Sequence, residues 1–149
     1  MKRLPVLLCL LSALSICASA AGDYDKFEVS GAYSHLTPGK DGFDLSGGYL
    51  PNKYLTLDVD GGAYFKKGDN TGVIMAGPKA QASTRDGWVT GFIDILFGGV
   101  HERGNFFAYS AGGGVDVGKG HFAARFKADL IHYDNGQHGR FGIGGVYRW

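Results

Sequence analysis

Residues 122–134 read FAARFKADLIHYD, and their alternation decides the fold. Phe122, Ala124, Phe126, Ala128 and Leu130 share one phase of a two-residue period, while Arg125, Lys127 and Asp129 share the other. Successive side chains of a β-strand point to opposite faces. This stretch therefore predicts a strand with one apolar face and one charged face. Three charges in a single phase test that reading, whereas one charge does not.

The same rule holds along the chain. Leu55, Leu57, Val59, Gly61 and Ala63 alternate with Thr56, Asp58, Asp60 and Gly62. Phe27, Val29, Gly31 and Tyr33 oppose Glu28, Ser30, Ala32 and Ser34. Val89 to Phe97 sets Ile93 and Ile95 against Thr90, Phe92 and Asp94. Phe107, Tyr109, Ala111, Val115 and Val117 oppose Ser110, Gly112, Gly114 and Asp116. The last segment sets Phe141, Ile143, Gly145, Tyr147 and Trp149 against Gly142, Gly144 and Arg148. Two further segments follow less cleanly, with Asp44 and Lys79 on the polar side. The spacing predicts eight strands, over 26–36, 42–50, 53–65, 72–83, 87–101, 105–117, 121–133 and 140–149. Between them lie PGKDG, PN, KKGDN, TRD, HERG, GKG and DNGQHG, all turn chemistry. No stretch has helical periodicity, so the class is all-β, a sandwich or barrel.

The start of the chain fixes the compartment. Met1-Lys2-Arg3 is a basic n-region, Leu4 to Cys17 is almost unbroken apolar sequence, and Ala18-Ser19-Ala20 is an A-x-A cleavage pattern. This predicts a secretory signal peptide over 1–20 and a barrel domain over 21–149. Cys17 does not suit lipidation, since Ile16 stands where a lipobox carries a small residue. Both cysteines, Cys9 and Cys17, fall in the leader, so neither disulfides nor cysteine-bound metal are expected of the mature chain. Removing Lys2 and Arg3 leaves 13 basic against 14 acidic residues, with no basic excess for nucleic acid.

Alternation alone does not say which phase faces inward. A lipocalin-like soluble barrel places the apolar phase inside, and a membrane barrel places it outside. An eight-stranded barrel is only wide enough for side chains to fill its interior. The polar phase is mostly Gly, Ser, Ala and Thr with charges of both signs, which suits such a lumen. The apolar phase carries aromatics near the ends of seven of the eight strands: Tyr33, Tyr49, Phe65, Phe97, Phe107, Phe122, Phe141 and Trp149. That is the layout of an apolar belt between aromatic girdles. Every predicted strand is nine residues or longer, enough to cross a bilayer at a tilt. The expectation is an eight-stranded antiparallel up-and-down transmembrane β-barrel. Pro78 is awkward there, because it removes a ladder hydrogen bond in a barrel without edges. A local bulge is the expected accommodation.

The leader, the eight alternating strands and the ending FGIGGVYRW (141–149) together resemble the small outer-membrane β-barrels of the OmpA/OmpX type. Gly77-Pro78-Lys79, GGGVDV (112–117) and ARFKADLIHYD (124–134) carry the sharpest local likeness. The match departs from full-length OmpA proteins in that no periplasmic peptidoglycan-binding domain is expected. The resemblance implies an outer-membrane location, a monomeric state and contact with outer-membrane lipid and lipopolysaccharide. It implies handling by periplasmic chaperones and the barrel assembly machinery, with Phe141, Ile143, Tyr147 and Trp149 in the assembly-signal strand. In the family's topology the outer loops fall at 37–41, 66–71, 102–104 and 134–139, all short for a recognition surface.

The expected lumenal charge network comprises Glu28, Asp58, Asp60, Lys79, Asp94, Asp116, Arg125, Lys127, Asp129 and Arg148. Its plain reading is a salt-bridged polar plug, with Asp129 partnering Arg125 or Lys127. The alternative is a narrow gated path for small ions or solutes. Lipid A-modifying barrels use a histidine, a serine and an acid at the outer surface. His132-Tyr133-Asp134-Asn135 sits at that height, but no serine follows at short spacing, and Ser34 beside His35 lies on another strand. No catalysis and no cofactor are expected. His35, His132 and His138 fall on neighbouring strands at the outer rim, a possible metal site, with His101 at the same level. Lys40, Lys66, Lys67 and Arg103 are candidates for lipopolysaccharide phosphates.

Overall fold

Two-residue alternation between breaks rich in glycine, proline and aspartate predicts strands, and the computed structural model has a strand in every such segment. It describes residues 24–134 and 136–149, so the expected leader lies outside the described residues. The strands are β1 (Phe27–Leu36), β2 (Lys40–Asn52), β3 (Leu55–Lys66), β4 (Asp69–Ser83), β5 (Val89–His101), β6 (Asn105–Lys119), β7 (Phe122–Tyr133) and β8 (Gly136–Arg148). Each pairs antiparallel with the next, and β8 pairs with β1, closing the barrel.

Several strands extend further than the alternation suggested. β2 begins at Lys40, β4 at Asp69 and β8 at Gly136. The first three expected outer loops are 37–39, 67–68 and 102–104, and the fourth is confined between Tyr133 and Gly136. Gly68, with φ 81°, makes the two-residue turn after β3 possible, since that conformation is strained for side-chain-bearing residues.

Closure uses the chain's two ends. The backbone nitrogens of Lys26 and Phe27 donate to the Trp149 carbonyl at 2.8 and 3.0 Å, and the Trp149 nitrogen donates to the Phe27 carbonyl at 3.1 Å. Above this the register runs Glu28 opposite Arg148, through Gly31 opposite Gly145, to Leu36 opposite Arg140. The closed seam leaves no unpaired edge, which is what makes a sheet tolerable in hydrocarbon.

The phases sort as a membrane requires. Leu45, Leu57, Val59, Ile74, Ile93, Phe107, Phe122 and Ile143 stand on the outside, more than half of each exposed. Glu28, Asp58, Asp60, Asp94, Asp116 and Asp129 are buried inside. A continuous apolar belt of this extent is far beyond the few hundred Å² that soluble proteins leave in water. Hydrocarbon is the solvent that matches it. At the end of the barrel that carries Phe27 and Trp149, Phe27, Tyr49, Trp149, Tyr147 and Phe122 form a contiguous girdle, with ring centroids 4.6–5.9 Å apart.

Pro78 does not create the expected bulge. β4 pairs with β5 as far as Ala76 opposite Phe97 and resumes in the same register at Lys79 opposite Asp94. Only Gly77 and Pro78 drop out of the pairing, while their pairing with β3 continues through Leu57 and Asp58. The bulge lies elsewhere, between Tyr49 and Asn52 where β2 meets β3, around Leu50 and Pro51.

Candidate functional site in the barrel interior

The interior is layered along the barrel axis. Nearest the chain termini lies a lower cluster of three acids and three bases: Glu28, Asp58 and Asp116 with Lys79, Arg125 and Arg148. Arg125 binds Asp116 in two places, Nε to Oδ1 and Nη2 to Oδ2, both at 2.8 Å, and its Nη2 reaches Glu28 Oε1 at 3.1 Å. Arg148 bridges the same two acids, Nε to Glu28 Oε2 at 3.2 Å and Nη2 to Asp116. Lys79 donates to Glu28 and stands 4.0 Å from Asp58. Phe92, an aromatic in the polar phase, lies under Lys79 and Arg125 at 5.5 and 4.8 Å from its ring centre. The ring's electron-rich face meets positive charge.

One turn of the pleat higher lies the upper cluster: Asp44, Asp60, Asp94 and Asp129 with Lys127 and Arg140. Arg140 is its centre. Nε donates to Asp129 Oδ2 at 2.6 Å, Nη1 to Asp60 Oδ1 at 2.6 Å and Nη2 to Asp60 Oδ2 at 3.3 Å. Asp44 lies 3.5 Å from Nη1 and accepts from the hydroxyls of Ser34 and Tyr64. Lys127 bonds Asp60 at 3.0 Å and stands 3.5 and 3.6 Å from Asp94 and Asp129.

Above both clusters the interior turns apolar. Leu36, Val73, Met75, Leu96, Val100, Ala108, Ile131 and Tyr133 form one buried cluster with Tyr64, and Phe106 packs against it. At the outer mouth Lys40 closes the top, bonded to Thr71 at 2.8 Å and to Glu102, with Asp69 at 3.0 Å.

All ten residues named for the charge network face this interior, and one of the two partners expected for Asp129 is beside it. Asp129 pairs with Arg140 and Lys127, not with Arg125, whose partners are in the lower cluster. Arg140 escaped sequence reading because the last strand was expected to begin there. Its even-numbered phase, shared with Arg148, is the signal that would have found it. The apolar layer was also missed: Leu96, Ile131 and Val100 sit in the nominally polar phase, and alternation marks the two faces of a strand without showing where the interior changes character.

The rim residues separate into independent pairs. His35 bonds Asp41 at 2.7 Å, His132 bonds Gln137 at 3.1 Å and stacks on Tyr109, and His138 bonds the Thr37 carbonyl at 2.9 Å. The anticipated metal cluster of His35, His132 and His138 does not assemble, and no group of three or more histidine, cysteine or carboxylate side chains is placed to hold a metal ion among the described residues. Ser34, the nearest serine to the rim histidines in sequence, is wholly buried against Asp44. Lys40, expected to reach outward to lipid phosphates, is instead buried in the outer mouth. Lys66, Lys67 and Arg103 remain exposed.

No family model and no curated protein matches the chain. Solved structures do. The crystal structure of Neisserial surface protein A superposes with a TM-score of 0.70 at 15% identity, covering 86% of this chain and all of that one. The chain has the fold of the small eight-stranded outer-membrane β-barrels. The N-terminal barrel domain of Pseudomonas aeruginosa OprF gives 0.66 at 11% identity over 85% of this chain and 100% of that one. A structure described as de novo design of transmembrane β-barrels gives 0.65 at 16% identity, over 84% and 97%.

Proposed function

We propose that this chain is an outer-membrane barrel with a structural, envelope-maintaining role and a closed, non-conducting interior. The observation that supports it is the stack of ion-paired clusters beneath an apolar layer. An ion path would have to displace Arg140 from three carboxylates and then cross Leu96, Val100, Ile131 and Tyr133, which offer it no polar partner except the Tyr133 hydroxyl. The expected leader, the apolar belt and the fold of its structural neighbours support the outer-membrane location. Phe141, Ile143, Tyr147 and Trp149 share one phase of the last segment, which suits its reading by the assembly machinery before the seam closes. Exposed Lys66, Lys67 and Arg103 suit contact with outer-leaflet phosphates.

The test is single-channel recording of the purified protein in planar bilayers, alongside membrane fractionation and heat-modifiable gel mobility. Silence in the bilayer with a heat-shifted band in the outer-membrane fraction is the expected outcome. Discrete conductance steps that vanish on heating would overturn the closed interior. A folded chain recovered in the aqueous fraction would overturn the membrane reading itself.

A further inference from the structure

The two ion-pair clusters are not charged alike. The lower one balances, with Glu28, Asp58 and Asp116 against Lys79, Arg125 and Arg148. The upper one sets four carboxylates, Asp44, Asp60, Asp94 and Asp129, against only Lys127 and Arg140. Its surplus of two negative charges is local, and it lies directly beneath the apolar layer. Uncompensated charge in such a place is among the most costly arrangements a protein can hold.

The surplus can be traced to particular oxygens. Asp60 is bonded by Arg140 and Lys127, and Asp44 by two hydroxyls. Asp94 is 3% exposed, yet neither of its carboxylate oxygens accepts a hydrogen bond. Lys127 stands 3.5 Å from its Oδ2 but spends its bond on Asp60. Lys79, opposite Asp94 in the β4–β5 register, turns away to Glu28 and Asp58. Asp129 gives Oδ2 to Arg140, and its Oδ1 is likewise unpartnered. The hydroxyl of Ser110, a fully buried side chain, has no partner either.

These four oxygens belong together. Gly112 lies opposite Asp94 on one side and opposite Asp129 on the other. Asp129 Oδ1 occupies the space over Gly112 that a Cβ would fill, so it leans toward Asp94. Ser110 is the next interior position on the same strand, between Leu96 and Ile131 at the base of the apolar layer. Hard oxygen donors, surplus negative charge and exclusion of bulk water are the conditions that favour a small inorganic cation.

We propose that the barrel interior binds an alkali or alkaline-earth cation between Asp94 and Asp129, with the Ser110 hydroxyl as a third ligand. The ion neutralises part of the upper cluster's surplus and locks β5, β6 and β7 together. Only two carboxylates take part, so water completes its shell. The apolar layer bars it from the outer side, and exchange proceeds past the lower cluster.

The test uses the full-length chain, expressed with its leader, extracted in detergent and dialysed into N-methylglucamine chloride. Sodium, potassium, magnesium or calcium chloride is then added at one ionic strength. One of these ions should raise the thermal unfolding midpoint, and elemental analysis should find it retained, one per chain. Asp94→Asn should fold, retain no ion and lose the ion-dependent shift. Ser110→Ala should weaken retention, while Asp58→Asn, an acid of the balanced cluster, should leave the shift intact. Equal midpoints in all five salts with no retained ion would mean water alone fills the space, and the proposal fails. It fails equally if the midpoint follows pH and no ion, which would assign the neutralising charge to protons, or if Asp94→Asn still retains the ion.

Discussion

Arg140→Met is the sharpest perturbation the interior offers. Arg140 is 1% exposed and donates to Asp129 and Asp60 along bonds of 2.6, 2.6 and 3.3 Å, with Tyr64 Oη at 3.4 Å. Methionine roughly preserves the stem's volume, so the loss is electrostatic rather than a cavity. It leaves Asp44, Asp60, Asp94 and Asp129 facing Lys127 alone. Removing one partner of a buried pair costs about 3–5 kcal/mol. With a urea dependence of about 2 kcal/mol per molar, the unfolding midpoint should fall by about 1.5–2.5 M. Arg148→Met is the internal control. Its side chain is 14% exposed, and its acids keep other partners: Asp116 retains Arg125, and Glu28 retains Lys79 and Arg125. Its loss should cost about 1 kcal/mol or less, as for a partly exposed pair. Trp88 and Trp149 report both transitions by fluorescence in detergent or lipid. Adding Asp129→Asn to Arg140→Met should recover part of the loss, because it removes a stranded charge. Equal midpoint shifts for the two arginine variants, or a double variant weaker than additive expectation, would refute the picture of Arg140 as the centre of the upper cluster.

Other outcomes follow from the same geometry. Ile93→Arg and Leu57→Arg place a charge on the lipid face and should cost about 2–4 kcal/mol near the midplane, read as lost folded yield in vesicles; normal yield would argue for a soluble barrel. Gly144→Ala should block folding, since its Cβ would collide with the Gly31 carbonyl, whereas Gly91→Ala meets nothing within 4 Å and should fold normally on the same gel-mobility assay. Trp149→Ala removes the ring stacked on Phe27 and Tyr147 but not the backbone bonds that close the seam. It should slow assembly in cells while leaving the refolded protein stable, and a large loss of stability with unchanged assembly would reverse that assignment.

Much of this was legible because barrel strands obey a local rule. The phase of Arg125, Lys127 and Asp129 in β7, and of Asp58 and Asp60 in β3, already separated the two faces. The rim was less legible. Lys40 looked like a loop residue, but β2 begins at it, so its side chain falls into the inward phase and meets Glu102 across the outer mouth. His35, His132 and His138 looked convergent on neighbouring strands, yet each finds a nearer partner. Pro78 was expected to sit in a local bulge, and the pairing with β5 simply skips two residues and resumes.

The amino-acid sequence by itself determined the strands, the apolar and polar faces and the aromatic ends, because a two-residue period is written in adjacent residues and needs no partner to be read. Which charge meets which was decided only by the closed barrel. Arg140 and Asp60 lie 80 positions apart and touch across the interior because β8 closes on β1 in one register. A slip of that seam would pair different acids and bases from the same alternating strands. The apolar layer and the upper cluster's surplus charge arise in the same way, from summing inward side chains at one height around eight strands.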